Sequence, residues 1–316
     1  MKAKSKKKVT IAAHDDADGV SAAVLLSEYL GGAEVRFPKE FGVVDDGDDY
    51  VVDMRPMRGD WRGICWDHHN GHPPEGARNY ELHWANVPTS VIVWKELKNF
   101  IPKESWWKCV IGAAGDNQSE TVPPEVWRSC PELFTEIERP IRRFGVFKGY
   151  RTFRFLLMPA VVNAPCRLGN PEKAYSVLKS VKSPSELVGD PALNEDRIKV
   201  EREIDWVVEG FGSGLQPQPR LVGPFLLAEF EHECPRLSGR LASILSELAQ
   251  GLTVIAIHRA TGKMSIRGPL TQLVRESLNE GGIAEVDGHT GAVGGLCDMS
   301  RVNEIEGVLR RSLGGK

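Results

Sequence analysis

One turn constrains this chain more than any other stretch: Ala13-His14-Asp15-Asp16-Ala17-Asp18-Gly19. It puts one imidazole and three carboxylates within five positions. An apolar run, Val9 to Ala13, precedes it, and a second, Val20 to Leu30, follows. Strand, polar turn and helix in that order form the binding edge of open α/β sheets, whose ligands lie beyond the carboxyl ends of the strands. Later segments matter according to whether they end on residues of the same kind.

Several do. Ala33 to Phe37 reads as a strand. Tyr50 to Val52 is another and ends on Asp53. Gly63 to Trp66 is a further one and ends on Asp67-His68-His69. The apolar run Trp106 to Ala114 delivers Gly115-Asp116-Asn117, which reads as another ligand-bearing strand end. Helices are expected over Ser21 to Leu30, stopped by Gly31-Gly32, over Ser90 to Phe100, and over most of Pro123 to Phe147, broken by Pro131 and Pro140. Phe155 to Val162 leads into Asn163-Ala164-Pro165-Cys166-Arg167-Leu168-Gly169, Pro171 to Val181 is helical, and Ser183 to Pro191 reads as a loop. Glu195 to Phe211 carries a helical apolar stripe, and Gly212-Ser213-Gly214 with Pro217 to Pro219 breaks the chain. Beyond it, strands at 226–230, 253–257 and 263–267 alternate with helices at 238–249, 270–278 and 302–313. The expected fold is α/β: an N-terminal, mostly parallel sheet with helices on both faces, and a smaller C-terminal α/β domain joined by a helical linker. The expected boundaries are 1–185 for a catalytic domain, 186–220 for the linker and 221–316 for a substrate-binding domain.

At 316 residues, the chain suits two domains. A net charge of −3 spreads no basic field over the whole surface, so any phosphate-binding patch has to be local. No apolar stretch reaches the roughly 18 residues that span a bilayer, and Met1 to Lys8 is not followed by a leader-type apolar run. The six cysteines form no C-x-x-C pair, which disfavours a zinc ribbon and fits reduced thiols in the cytoplasm.

The ligand-type residues are His14, Asp16, Asp18, Asp53, Asp67, His68, His69 and Asp116. Imidazole mixed with carboxylate, without thiolate, suits Mn2+ or Mg2+ over structural zinc. The set exceeds what one ion needs and suits two, roughly 3.5–4 Å apart, that activate a shared water for displacement at phosphorus. His72, His83, His232 and His258 read as surface or core histidines, and Trp84 and Trp107 as the tryptophans to consider for base stacking.

His14-Asp15-Asp16-Ala17-Asp18-Gly19, Asp53, Asp67-His68-His69 and Gly115-Asp116-Asn117 together resemble the four metal-binding motifs of the DHH phosphoesterase superfamily. The resemblance implies a dinuclear manganese centre, with magnesium as the alternative ion. One metal falls to His14, Asp16 and Asp53, and the other to Asp18, Asp53, His68 and Asp116, with Asp53 bridging. It places His69 at the scissile phosphate and has Asp67 orient His68 or His69. Asn163 to Gly169 is similar to the N-A-x-x-R-x-G segment of the RecJ-like exonucleases, which implies that Asn163 and Arg167 face substrate phosphates. Cys166 stands where that segment usually has a small residue.

The C-terminal stretch resembles the DHH-associated domain that binds substrate. Ser238-Gly239-Arg240, Ile266-Arg267-Gly268 and Gly288-His289-Thr290-Gly291-Ala292-Val293-Gly294-Gly295 carry the likeness, which nominates Arg240, Arg267, Gly288 and His289 for substrate binding. Asp287 stands where the family often has Gly.

The expected activity is that of a RecJ-like exonuclease or nano-RNase, cutting single-stranded or short RNA or DNA to mononucleotides. The length leaves no room for an added oligonucleotide-binding barrel, which favours short substrates or work with a replication or repair partner. The alternative is a phosphatase or phosphodiesterase for small nucleotides, such as 3′-phosphoadenosine 5′-phosphate or dinucleotides. A non-catalytic replication scaffold is the remote alternative, since every assigned ligand position is filled.

Overall fold

The computed structural model describes residues 8–143, 146–289 and 291–314, and at 139–143, 146–150, 235 and 289 the backbone alone. These residues form two compact units. One holds 8–141 and 147–198; the other holds 142, 143, 146 and 199–314.

The N-terminal unit is built on a five-stranded sheet of β1 (Thr10–Ala13), β2 (Glu34–Arg36), β3 (Tyr50–Val52), β4 (Ile64–Asp67) and β5 (Glu81–Trp84), in the order β2-β1-β3-β4-β5. Every pairing is parallel. Strands buried on both faces read as short apolar runs, which is why they are legible. Ile11, Ala13, Val52 and Trp66 point to the main core, shared with α1 (Ala17–Tyr29), α2 (Thr89–Leu97) and α3 (Lys108–Gly115). Ala12, Val51 and Cys65 point the other way, where Val44, Met54, Trp61 and Tyr80 cover them. Residues 17–27 of α1 are buried on all sides, as befits the central helix of its layer.

Other segments fold otherwise than their sequence suggests. Trp106 to Ala114 supplies a helix, α3, in place of a strand. Its apolar run is too short for periodicity to separate the two states. Pro123 to Phe147 gives only one helical turn and a half, α4 (Pro124–Ser129), then a 3-10 turn (Pro131–Phe134) and a strand, β6 (Glu136–Arg143); residues 144 and 145 lie outside the described residues. β6 pairs with β7 (Val146–Phe153) in a two-stranded sheet, which has only edges and so tolerates Pro140.

Phe155 to Val162 and the Asn163 segment form one helix, α5 (Arg154–Arg167), despite Pro159 and Pro165 inside it. An interior proline costs about 3 kcal/mol. Burial of Leu157, Met158, Val161 and Val162, at about 1.5–3 kcal/mol each, offsets it. α6 (Pro171–Ser180) follows. The expected loop at 183–191 contains α7 (Pro184–Gly189), started by Ser183, whose Oγ accepts from the N–H of Glu186 (3.2 Å).

α8 (Pro191–Ser213) carries the chain from one unit to the other. The C-terminal unit is a six-stranded mixed sheet of β8 (Arg220–Val222), β9 (Phe225–Phe230), β10 (Thr253–His258), β11 (Lys263–Arg267), β12 (Ala284–His289) and β13 (Ala292–Cys297), in the order β12-β13-β11-β10-β9-β8. β9 and β10 run parallel, and the other pairs antiparallel. α9 (Ser238–Leu248) joins the parallel pair, and α10 (Thr271–Glu280) and α11 (Ile305–Gly314) close a core with Phe225, Ile255, Ile257 and Ile266. Among the described residues, no helix is long and apolar enough to cross a membrane.

Candidate metal centre

β1 delivers His14 to the sheet edge, where its N–H donates to Val52 O (3.2 Å). Asp16 then divides its carboxylate. Oδ1 caps α1, accepting from the N–H groups of Asp18 (3.0 Å) and Gly19 (3.1 Å). Oδ2 lies 3.0 Å from His14 Nδ1. The turn is tight enough that a Cβ on Gly19 would lie 2.3 Å from His14 O. Glycine is therefore required for the helix to start this close to the imidazole.

Asp18, fully buried, is fixed from two other helices. Its carboxylate accepts from the N–H groups of Thr89 (2.6 Å) and Ser90 (3.0 Å) at the start of α2, where orphan amides and the helix dipole favour an anion. α3 closes on it at Gly112, where a Cβ would lie 2.0 Å from Asp18 Oδ1. Asp53 follows β3 with φ 59°, a left-handed conformation rare for a residue with a side chain. Its N–H donates to Trp66 O (2.9 Å) and its Oδ1 accepts from Thr89 Oγ1 (3.0 Å), so the surroundings hold it in place. Thr89 and Ser90 were not singled out from the sequence; Pro88-Thr89-Ser90 before an apolar run is the helix-start signal that marks them.

His68 Nε2 sits 3.2 Å from Asp53 Oδ1, 3.6 Å from Asp116 Oδ2 and 3.9 Å from Asp18 Oδ2. Asp116 reaches this point as the residue that ends α3. Two clustered triads, His14/Asp16/Asp53 and Asp18/His68/Asp116, have ligand atoms within 4.8 Å of one another, and Asp53/His68/His69 forms a third such group. The turn and the later segments thus meet in one cluster.

Its electrostatics are those of crowded like charges in a dry site. Burial, with repulsion from Asp53, pushes Asp18 up to about 7. Burial and the neighbouring Asp18, Asp16 and Asp53 push Asp116 well above the usual carboxylate range. Burial works to lower His68, yet its hydrogen bond and charge contact with Asp53 outweigh this and lift it to about 10. Burial also opposes, and Asp16 and Asp53 overcome, the protonation of His14. Asp116 Oδ2 is buried without a hydrogen-bond partner among the described residues. A divalent cation would offset this crowding: its charge would favour ionised carboxylates and neutral imidazoles, and the Asp116 oxygen would be available to it. The donor set fits hard divalent ions. Either triad could ligate one.

His69 lies beside the cluster. Its Nδ1 is 2.7 Å from Asp67 Oδ1, and its ring meets the rings of His68 and the partly exposed Phe41 edge to face, centroids 4.6 and 5.0 Å away. Trp84 Nε1 donates to His69 O (2.9 Å) with much of its indole exposed, whereas Trp107 is buried in the core. His72 is a satisfied histidine, as expected: its two ring nitrogens hydrogen-bond Asp67 and Tyr80, partners that no sequence signal marks.

Of the residues nominated for substrate, Asn163 accepts at its carboxamide oxygen from the N–H of Ala17 (2.8 Å), which clips α5 to the first turn of α1. Arg167 ends the same helix. In the C-terminal unit, Arg240 stands in the first turn of α9 and Arg267 at the end of β11, where its Nη1 donates to Val293 O (3.2 Å). In register, Arg267 is level with Ala292, and Ala292 with His289. The side chain of His289 lies outside the described residues. The glycine-rich run is a hairpin, β12 to β13. Gly288 takes φ 143°, and a Cβ there would lie 2.5 Å from Ala292 O.

The sequence matches no family model and no curated protein. Solved structures do match in fold. RecJ of Thermus thermophilus in complex with Mn2+ superposes with a TM-score of 0.65 at 17% identity, over 98% of this chain and 52% of that one. This chain therefore spans about half the length of that protein. A DHH domain from a member of the s1p family of ribosomal proteins gives 0.63 at 13% identity, over 97% and 86% of the two chains. A pGpG-specific phosphodiesterase of Vibrio cholerae gives 0.55 at 14%, over 98% and 99%. The chain thus shares its fold with these structures.

Proposed function

We propose that the protein is a two-metal phosphodiesterase that trims single-stranded or short oligonucleotides to mononucleotides. The observation that supports this reading best is the pair of clustered triads at one sheet edge, within a fold shared with a manganese-bound RecJ. His14, Asp16 and Asp53 would hold one Mn2+ or Mg2+, and Asp18, Asp53, His68 and Asp116 would hold the other. When bound, the ions acidify a shared water and neutralise charge developing on the phosphate oxygens. Water adds to phosphorus, the bond to the neighbouring nucleotide oxygen breaks, and that oxygen leaves with a proton.

The chain's own groups position this event. His69, held at Nδ1 by Asp67, presents Nε2 to the scissile phosphate as donor or acid. Arg167 and the Asn163 amide bind phosphate oxygens. Arg240, Arg267, Gly288 and His289 of the C-terminal unit bind the remaining nucleotide phosphates.

A second reading has its own support. The Vibrio cholerae phosphodiesterase matches over nearly the whole of both chains, whereas the Thermus RecJ is about twice as long as the part matched. A dinucleotide or small-nucleotide substrate is therefore the alternative. Both readings are tested together by incubating the protein and Mn2+ with end-labelled RNA, DNA, dinucleotides and 3′-phosphoadenosine 5′-phosphate, and resolving the products. Stepwise loss of mononucleotides from a 5-mer supports the exonuclease. Faster turnover of a dinucleotide or a 3′-phosphonucleotide replaces it with the alternative.

A further inference from the structure

We infer that His72 and Tyr80 are positioning residues that fix the His69 ring through Asp67. The role this gives His69 rests on the proposed function; the hydrogen-bond chain does not. Asp67 stands at the end of β4, buried, and accepts on both oxygens: His69 Nδ1 lies 2.7 Å from Oδ1, and His72 Nε2 lies 2.7 Å from Oδ2. The other nitrogen of His72 is 2.8 Å from the Tyr80 hydroxyl.

The donors can be assigned by elimination. An ionised carboxylate only accepts, so His69 Nδ1 and His72 Nε2 both carry hydrogen. With Nε2 directed at Asp67, the Nδ1 of His72 faces the Tyr80 hydroxyl at 2.8 Å. The opposite tautomer of His72 would aim a lone pair at the carboxylate. Burial pushes the Tyr80 hydroxyl up to about 12, so it keeps its proton to donate. Tyr80, His72, Asp67 and His69 thus form one continuous hydrogen-bond chain.

The far end of this chain is rigid. Tyr80 packs in the core on the side of the sheet away from α1, with its ring 5.5 Å from that of Trp61. The imidazole proposed to face substrate is thereby referenced to a core on the other side of the sheet, and Trp84 restrains its backbone through His69 O. Outer partners of this type commonly set activity by about 10- to 100-fold.

The test combines three variants with two readouts. His72→Leu removes the donor to Asp67, His72→Gln restores an N–H at nearly the same place, and Tyr80→Phe removes only the distal hydroxyl. In the metal-free protein, ring-nitrogen NMR should show a protected Nδ1–H on His69 in the wild type and His72→Gln, and a fast-exchanging one in His72→Leu. With Mn2+ and the best phosphoester substrate, His72→Leu should lower kcat about tenfold with KM within about twofold, His72→Gln should recover most of it, and Tyr80→Phe should lose about two- to tenfold. An unchanged His69 proton and unchanged kcat in His72→Leu would overturn the inference. If His72→Leu does not fold, unchanged kcat and an unchanged His72 ring signal in Tyr80→Phe do the same. A wild type that cleaves no phosphoester refutes the proposed function, while the NMR result still decides the hydrogen-bond chain.

Discussion

Gly112 in α3 and Gly295 in β13 are both positions where a Cβ would collide with a neighbour, at 2.0 and 1.9 Å. What they would hit differs. At Gly112, the neighbours are the Asp18 carboxylate and Ser90 Oγ; at Gly295, they are the carbonyl of Glu285 and the Val286 backbone across the hairpin. Gly112 makes room for the Asp18 carboxylate. Gly295 makes room for a second strand. The same residue type therefore reports on chemistry in one place and on packing in the other, and a glycine-rich run is weak evidence for a phosphate cradle until its backbone partners are known.

This contrast can be broken by experiment. The largest effect is expected at the ligands themselves. His68→Ala or Asp116→Ala should abolish hydrolysis, by more than the about 10- to 100-fold lost with outer partners of a metal ligand, while circular dichroism stays native. Retained activity in either would remove the Asp18/His68/Asp116 triad from the chemistry.

Next comes the pair of glycines. Gly112→Ala should weaken Mn2+ binding, read by calorimetry, by at least about tenfold. Gly295→Ala should leave metal affinity unchanged and lower stability by about 1–3 kcal/mol, the usual range for overpacking. A Gly295→Ala variant with normal stability and weakened metal binding would reverse the comparison.

The pH dependence of the metal-free fold is a subtler probe of the same cluster. Asp18, at about 7, and His68, at about 10, both hold protons more tightly folded than unfolded, where carboxylate and imidazole lie at 3.8 and 6.5. Each therefore stabilises the fold at low pH: Asp18 fully below 3.8 and no longer above about 7, His68 fully below 6.5 and no longer above about 10. Asp53, held well below the usual range by hydrogen bonds from His14 and His68 against the effect of burial, adds stability that is fully present above 3.8 and is lost only in strong acid. With chelator present, Tm should fall from about pH 5 to about pH 9. Mn2+ should cancel that fall, since it takes the place of those protons. A flat Tm profile in chelator would show that the cluster does not crowd its charges. The smallest effect belongs to Arg267→Ala, which should raise KM severalfold with kcat within about twofold.

The six residues expected as ligands come together in the clustered groups, and each lies in a contiguous segment that ends an apolar run. Asp116 was found even though the element before it is a helix, since only its position after the run mattered. His72 and Tyr80 were not, because what they touch depends on how loops fold back, and no spacing encodes that. α5 was hidden by its two prolines, whose local penalty is overcome only by burial of the surrounding side chains. β6 was hidden by charged residues and Pro140, which a two-stranded ribbon tolerates and a central strand would not.

Asp18 is at once a member of a metal triad and the joint at which three helices meet: it belongs to α1, receives the amides of α2 and is pressed by α3. Asp116 ends α3, and among the described residues its Oδ2 has no hydrogen-bond partner. The two ligands are thus unequal under drift. In a descendant that kept this fold and gave up its chemistry, Asp116 would be free to vary early, while Asp18 would persist long after the metal had gone. A lone buried aspartate in the first turn of the equivalent helix would then be a fossil of the lost centre.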